Sequence, residues 1–179
     1  VPAGATEVQR QQLIDGRAAA QVAFTSAPAE LLGEAGGGEA VLTRVLDAAA
    51  IGLGAEMVGG MAAVFDMTLA YLKTRVQFGK VIGTFQALQH RAGRLFMDVE
   101  LCRAAVWSGH ALLDAGAGDA EIARAASIVK ARCSEAYVRV VEEGIQLHGG
   151  IGMTDEHDVG LYARRARVSE VLFGDAAYH

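Results

Sequence analysis

The sequence predicts a mainly α-helical protein, an antiparallel four-helix bundle preceded by a short β-hairpin. Three observations predict this fold class. After residue 38, apolar residues recur at helical spacing almost to the C-terminus. Short glycine-containing segments separate the long periodic stretches, as in bundles with short connections. Strand-like composition is confined to the first 25 residues, ahead of a glycine-rich break.

The hairpin is the first predicted element. Its strands are Val8–Ile14 and Ala18–Phe24, and Asp15-Gly16 between them is a strong signal for a two-residue turn. An isolated hairpin is not stable in water. We therefore expect these strands to belong to a sheet whose other strands lie before Val1 or in another chain.

A linker is expected after the hairpin. Pro28 and the run Gly36–Gly38 mark it, and they divide the chain into a β segment, residues 1–38, and a helical segment, residues 39–179. The first residues, Val-Pro-Ala-Gly-Ala, lack an initiator Met and the layout of a signal peptide. Together with the incomplete sheet, this suggests a fragment of a larger protein.

The first helix is predicted from about Glu39 to Arg75. Its apolar residues follow the helical period at Leu42, Val45, Leu46 and Ala49. Four glycines follow, Gly52, Gly54, Gly59 and Gly60. Each glycine in a helix interior costs roughly 1 kcal/mol relative to alanine, so we expect close helix–helix packing at these positions, with close approach to a ligand as the alternative.

The second helix is predicted to start near Thr84, a suitable N-cap, and to end near Ala115. Its apolar residues form two tracks with a spacing of seven, the seam of an antiparallel bundle. The first track is Leu88, Leu95, Cys102 and Gly109, and the second is Ala92, Val99, Val106 and Leu113.

The third helix is predicted to be capped by Asp119 and to end at Gly149-Gly150, which suits a left-handed C-terminal cap. Thr154 can cap a shorter fourth helix. The buried face of the third helix is predicted to comprise Ile122, Ala126, Val129, Cys133, Ala136 and Val140.

Composition excludes several functions. With 16 basic and 21 acidic residues the net charge is −5, which disfavours nucleic acid as a partner. Apolar residues make up 52% of the chain, yet no uninterrupted apolar run is long enough to cross a bilayer, so membrane insertion is not expected. The basic cluster Arg164, Arg165 and Arg167 is interpreted as a solvated helix face rather than an anion site.

Cys102 and Cys133 fall inside apolar helical patterns, so they are interpreted as small core residues of a protein in a reducing compartment. The five histidines lack metal-ligand spacing, and no metal site is predicted. Neither a Rossmann-type glycine loop nor a nucleophile motif is present. These patterns alone indicate only a helical bundle with a small β appendage.

Two motifs carry a more specific resemblance. The first is Arg75-Val-Gln-Phe-Gly79, followed by Phe85-Gln86, and the second is Gln146-Leu-His-Gly-Gly-Ile-Gly152. In this order, with two helix-length segments between them, they resemble the C-terminal half of the acyl-CoA dehydrogenases. Those flavoenzymes oxidise the Cα–Cβ bond of acyl-CoA thioesters. The resemblance assigns residues 1–38 to the end of the family's middle β-domain and residues 39–179 to its C-terminal helical domain.

The resemblance implies FAD as the cofactor. Arg75 matches an arginine that reaches the flavin pyrophosphate, often across a subunit interface, and a guanidinium suits phosphate oxygens. Without the resemblance, Arg75 would be an ordinary cation at a helix C-terminus. The glycines of the second motif allow close backbone approach to the cofactor. The cofactor-binding residues implied in this way are Arg75, Gln77, Phe78, Gln86, Gln146, Gly149, Gly150 and Asp175.

The resemblance fails at the catalytic base. The usual glutamate position near the C-terminus holds Phe173, and a phenyl ring cannot accept a proton. The alternative position on the first bundle helix holds Ala49. The catalytic residue is therefore unknown, with Asp175 and Asp47 as weak candidates. Asp47 and Gly174 match substrate-binding positions of the family.

Three explanations remain open. A neighbouring acid serves as base, a partner subunit of a hetero-oligomer supplies it, or the chain only binds flavin or supports assembly. Sharing between subunits is favoured, because some bacterial members acting on sterol side chains pair a base-bearing subunit with one lacking the base. The resemblance also implies an acyl-CoA thioester substrate, electron-transferring flavoprotein as acceptor, a dimer or tetramer, and a bacterial cytoplasmic location. This segment alone is expected to be inactive.

Overall fold

The computed structural model describes residues 6–179 and confirms a mainly α-helical bundle preceded by a hairpin. Residues 1–5, the start of the predicted β segment, lie outside the described residues. The strands are β1 (Thr6–Gln12), β2 (Ala18–Phe24), β3 (Val76–Gln77) and β4 (Lys80–Val81). The helices are α1 (Gly38–Thr74), α2 (Gln86–Asp114), α3 (Asp119–His148) and α4 (Val159–Val171), with 3₁₀ turns at Ile82–Thr84 and Gly149–Met153.

The antiparallel hairpin β1–β2 pairs Thr6 with Phe24 and Gln12 with Ala18. The predicted two-residue turn is wrong, because the strands end earlier and a longer loop joins them. The Leu13 N–H donates to the Arg17 carbonyl and the Gly16 N–H to the Leu13 carbonyl, each at 2.9 Å, with Gly16 at φ 82°. This is a three-residue loop with a glycine bulge, a common hairpin closure.

The bundle is built around α1, which packs along α3 and α2, while α4 packs on α3. The predicted first helix is confirmed to within one residue at each end. All eight positions of the two α2 tracks are buried or half-buried, and the predicted face of α3 is buried throughout. Cys102 and Cys133 are free and buried between α2 and α3. The hydrogen bond with Cys102, together with burial, raises the pKa of Cys133, so that thiol stays protonated.

Close packing explains two of the four interior glycines of α1. A Cβ at Gly54 would overlap Val129 Cγ1 of α3, and one at Gly60 would overlap the Tyr137 ring. Gly52 and Gly59 would meet nothing within 4 Å. The expectation is therefore confirmed at Gly54 and Gly60 and wrong at the other two positions.

The predicted N-caps of α2 and α4, Thr84 and Thr154, are both wrong, because each hydroxyl bonds to a preceding carbonyl. The Thr84 hydroxyl donates to the Val81 carbonyl at 2.7 Å, and the Thr154 hydroxyl donates to the Ile151 carbonyl at 2.8 Å. Each hydroxyl closes a 3₁₀ turn instead of accepting from a helix N-terminus, a competition to which Ser and Thr are prone. As a result α2 begins two residues after Thr84, and α4 begins only at Val159.

Two further predictions about helix ends need correction. Asp119 is the first residue of α3 and not its cap, since its carboxylate binds Arg44 of α1 at 3.0 Å and Gly118 occupies the N-cap position. Gly149 does end α3 with a positive φ of 66°. Its ψ of −141° lies outside the left-handed helical region, however, because the chain continues directly into the 3₁₀ turn.

The longest helix, α1, is long and apolar enough by composition to cross a membrane, with a mean hydropathy of 1.6 over its most apolar window. The core helix of a water-soluble bundle can pass the same test. In this fold 44% of that window is buried. The criterion is weak evidence for a membrane span.

Arg165 connects the hairpin loop to the bundle. Its guanidinium donates to Asp15 Oδ2 at 2.9 Å and to Glu56 Oε2 at 3.0 Å. Its side chain is 14% exposed and that of Asp15 only 3%. The interpretation of the arginine cluster as a solvated face is therefore wrong for Arg165, whereas Arg167 pairs with Glu142 on the exposed surface.

This ion-pair cluster should make stability depend on pH. Burial acts to raise the pKa of Asp15, but the Arg17 N–H and Arg165 outweigh it and lower that pKa. The hydrogen bond from Arg165 is the main cause of the lowered pKa of Glu56. A carboxylate with a lowered folded pKa contributes stability above its unfolded pKa and loses it as the pH falls through the folded value.

We expect Arg165→Met to lower the free energy of unfolding most at pH 7, with the difference from wild type shrinking below about pH 4 as both carboxylates become protonated. Urea unfolding between pH 7 and pH 3 would measure this. Arg167→Met is the matched control, because Arg167 is itself exposed and its partner carboxylates, Glu142 and Glu170, are exposed and half-buried, respectively. If the difference in unfolding free energy between wild type and Arg165→Met stayed constant over this pH range, the ion pairs of Arg165 with Asp15 and Glu56 would not be its cause.

Candidate functional site

The two sequence motifs meet in one groove of about 350 Å³. Helix α1 and the β3–β4 ribbon form one wall, and the end of α3 with the following glycines forms the other. Six of the eight predicted cofactor residues line the groove: Arg75, Gln77, Phe78, Gln146, Gly149 and Gly150. Gln86 and Asp175 are not in its lining. Phe85, the neighbour of Gln86, lines it instead.

The first wall depends on a tight turn. The chain leaves α1 at Arg75 in an extended conformation, and β3 pairs with β4 through Gln77 opposite Lys80. Phe78 and Gly79 between them have φ of 54° and 76°, a two-residue hairpin turn with both residues left-handed. A left-handed phenylalanine is strained, and Phe78 as a whole residue is 89% exposed. The turn holds a large apolar surface open beside the groove.

The second wall exposes backbone. A Cβ at Gly149 or Gly150 would meet nothing within 4 Å, so the backbone there is open to a ligand. At position 152 of the same motif, glycine is required by packing, since a Cβ there would lie 2.7 Å from the Ile145 carbonyl oxygen. The motif thus combines two open glycines with one that packing requires.

The groove contains one unneutralised cation. Arg75 is exposed and forms no ion pair with any residue from 6 to 179. Arg91, which also lines the groove, is neutralised by Glu143, with a nitrogen–oxygen distance of 2.6 Å. An unpaired guanidinium pairs well with phosphate oxygens. The free guanidinium, the open glycine backbone and the exposed aromatic ring together fit a phosphate-bearing ligand with a flat aromatic part.

His148 is a lining residue that sequence reasoning missed. It is 2% exposed, and its Nδ1 lies 2.7 Å from the Gly144 carbonyl, so Nδ1 carries the hydrogen. Its Nε2 is buried without a hydrogen-bond partner among the described residues. The ring contacts the rings of Tyr71 and His157 in tilted arrangements, with centroid separations of 4.8 Å and 4.1 Å. Burial, with His148 as a second cause, lowers the pKa of His157.

A second groove, of about 340 Å³, contains Phe173, at the family's usual base position, together with Asp47 and Gly174, which match its substrate-binding positions. Asp47 and Ala50 of α1 line it opposite Phe173 and Gly174, which follow α4. Ala49 is half-buried and is not in the lining. Two segments more than 120 residues apart in sequence therefore form one site, which lacks a glutamate.

The two weak acidic candidates differ in placement. Asp47 is half-buried and lines the groove. Asp175 is exposed and outside the lining, and its Oδ1 accepts hydrogen bonds from the N–H groups of Ala177 and Tyr178 at 3.1 and 2.9 Å. Of the two, only Asp47 faces the same space as Phe173. Across residues 6–179, no group of three or more His, Cys, Asp and Glu side chains could hold a metal ion.

The family described as "Acyl-CoA dehydrogenase, C-terminal domain" matches residues 36–179. Two similar proteins are named acyl-CoA dehydrogenase IpdE2. The one from Mycolicibacterium smegmatis is 41% identical over 128 residues, 72% of this chain and 39% of its own length. The one from Mycobacterium tuberculosis is 43% identical over 129 residues, 72% of this chain and 38% of its own length.

Solved structures show the same fold. Butyryl-CoA dehydrogenase from Megasphaera elsdenii superposes with a TM-score of 0.90 at 26% identity, covering 97% of this chain and 46% of its own. A protein described as the Tcur3481-Tcur3483 steroid ACAD G363A variant superposes with a TM-score of 0.87 at 29% identity, with the same coverage. The chain thus spans less than half the length of the relatives it matches.

Proposed function

Because the chain belongs to the acyl-CoA dehydrogenase family, we propose that it forms part of the FAD site of an enzyme that dehydrogenates acyl-CoA thioesters, without contributing the usual glutamate base. The observation that carries this proposal is the groove that unites Arg75 with Gly149 and Gly150. FAD is the cofactor of the family, and the groove has a cation that suits a pyrophosphate and glycines that leave room for a ligand to approach the backbone.

The proposed roles follow from the residues of that groove. Arg75 pairs with pyrophosphate oxygens, and Gln77 and Gln146 offer side-chain amides to polar groups of the cofactor. The backbone at Gly149 and Gly150 permits close approach. Bound FAD would accept the hydride from the substrate. The exposed Phe78 ring implies that a further part of the protein or a second subunit covers this side.

The missing base favours shared catalysis. Phe173 can position but not deprotonate a substrate, so the proton from the α-carbon needs another acceptor. A base on a partner subunit would account for a groove that brings Asp47 and Gly174 together but has no carboxylate at Phe173. One similar structure is described with two protein names and as a steroid ACAD. We accordingly propose a hetero-oligomer, with steroid-derived acyl-CoA thioesters as the first substrates to test.

A second function, flavin binding or assembly without catalysis, is supported by the same absence of a base. In that version the chain holds FAD and a partner, and no thioester reduces the flavin. In the catalytic version electron-transferring flavoprotein is the proposed acceptor. For both versions we also propose a bacterial cytoplasmic location, as expected from the sequence.

The decisive experiment records the visible spectrum of the complete polypeptide, with anything that co-purifies, before and after anaerobic addition of acyl-CoA thioesters. Bleaching of an oxidised-flavin band would support a dehydrogenase. A flavin band that no thioester bleaches would favour the binding or assembly function. A protein that neither retains nor rebinds FAD would refute both.

The same preparation allows a test of Arg75. We expect Arg75→Met to weaken FAD binding by about 10- to 100-fold, the value of one or two charge-assisted hydrogen bonds. Equilibrium binding of FAD to deflavinated protein would measure the change. Arg94→Met is the matched control, because Arg94 is an exposed α2 arginine that does not line this groove. If the two substitutions weakened FAD binding equally, Arg75 would not be a cofactor-binding residue.

A further inference from the structure

Lys130 of α3 is the largest fully buried side chain of the described residues. Burying an ammonium group is costly unless all its donors are satisfied. Its Nζ donates to Ser134 Oγ at 2.7 Å, to the Glu170 carbonyl at 2.9 Å and to the Gly174 carbonyl at 2.6 Å. These three bonds use every donor of the group. The buried ammonium thus joins α3 to the last turn of α4, through the Glu170 carbonyl, and to the chain just after α4, through the Gly174 carbonyl.

That stretch has an unfavourable conformation. Phe173 has a φ of 59° and Gly174 a φ of 96°, two consecutive left-handed residues that the surrounding structure must hold in place. Lys130 fixes the Gly174 carbonyl. His179 Nε2 lies 2.8 Å from the Phe173 carbonyl, and its Nδ1 lies 3.2 Å from Ser127 Oγ. Since Ser127 and Lys130 are three residues apart on α3, both contacts hold the turn against the same helix.

The turn borders the second groove, whereas Lys130 does not. Phe173 and Gly174 line the groove opposite Asp47, and Lys130 is absent from the lining and fully buried. Leu172 and Phe173 form a hydrogen-bonded turn that closes at Gly174, whereas the Phe173 N–H makes no hydrogen bond to any residue from 6 to 179. The Phe173 N–H is therefore available to a ligand carbonyl, provided that the turn keeps its conformation.

We propose that Lys130 is a positioning residue for ligand binding, with its ammonium fixing the Phe173–Gly174 turn so that the Phe173 N–H in the same groove as Asp47 can bind a thioester carbonyl. The proposal rests on the proposed function, since it takes an acyl-CoA thioester as the ligand. Burial lowers the pKa of Lys130, but the carboxylates of Asp175 and Glu170 oppose this effect. The group therefore has charged neighbours that favour its ammonium form.

The test compares two probes on the complete, flavin-loaded protein with any partner. One is an acyl-CoA thioester, and the other is the S-alkyl-CoA thioether of the same chain length, which lacks the carbonyl. We expect Lys130→Met to lower the ratio of thioester to thioether affinity about tenfold, the value of one lost hydrogen bond. Lys130→Arg retains the charge and should restore part of the ratio. In a hetero-oligomer, the binding sites formed by the unmutated partner subunit should keep the wild-type affinity ratio and provide an internal reference.

The outcomes separate this proposal from the proposed function. If wild type binds neither FAD nor thioester, the proposed function fails first. If wild type binds both and Lys130→Met keeps the wild-type ratio, the positioning role is overturned. Should the Lys130 variants not retain flavin, His179→Leu decides, because it removes the other contact to the turn from near the surface. An unchanged ratio in that variant would overturn the proposal, and a reduced ratio would support it.

Discussion

Phe173→Glu is expected to raise the rate of flavin reduction by acyl-CoA by about 10²- to 10⁴-fold at the sites that this chain forms, the usual contribution of a positioned base. Phe173 lines the groove opposite Asp47 and is partly exposed within it. The backbone there is already left-handed, and a glutamate replaces one non-glycine side chain by another without adding a new backbone conformation. A carboxylate is therefore added at the position where the family carries its base.

Stopped-flow measurement of flavin bleaching would test this expectation. The rate of bleaching should rise, and so should its amplitude, because flavin at sites that previously had no base should become reducible. Phe173→Gln is the matched control, with nearly the same shape but no proton acceptor. Equal rates for the Glu and Gln variants, with flavin retained in both, would contradict a missing base at Phe173. Loss of activity in Asp47→Asn would then identify Asp47 as the acceptor.

Gly54→Val is expected to lower the free energy of unfolding by about 3 kcal/mol or more. A Cβ at Gly54 would overlap Val129 Cγ1 and lie 3.1 Å from Val106 Cγ2, so α1 would have to move away from both α2 and α3. Overpacking a rigid core typically costs 1–3 kcal/mol. The overlap here involves two neighbouring helices and a residue with three added carbons, which places the cost at the upper end.

Gly52 provides a control two residues away on the same helix. It is exposed, and a Cβ there would meet nothing within 4 Å. Gly52→Ala should therefore raise the free energy of unfolding by about 0.5–1 kcal/mol through helix propensity alone. Urea unfolding of both variants would measure the two effects. If both substitutions changed the free energy of unfolding in the same direction, close packing would not be the reason for glycine at position 54.

The helices were predictable because their signals are local. Burial every three or four residues is visible in the α2 tracks and on the α3 face, and the predicted α1 bounds agree with the structure to within one residue. The helix ends were less predictable. Whether Thr84 caps a helix or closes a 3₁₀ turn depends on where its hydroxyl finds an acceptor, and both outcomes suit the same local sequence.

The candidate cofactor site was predictable only through its motifs. Arg75 and Gly149 are individually ordinary residues, and their roles followed from resemblance. The structure adds that they face one groove, that Arg75 is unpaired while Arg91 is neutralised, and that a buried histidine, His148, lines the same groove. Charge neutralisation depends on which side chains approach in space, and no sequence pattern records that.

By itself, the sequence determined the family resemblance, the helical periodicity and the absence of a glutamate at Phe173 and Ala49. Only the tertiary structure decided that Phe173 and Asp47 share a groove, that Arg165 joins the hairpin loop to the bundle, and that Lys130 supports a strained turn. The reason is physical. Motifs and periodicity are properties of neighbouring residues, whereas these contacts join segments 40 to 150 residues apart and exist only after the helices have packed.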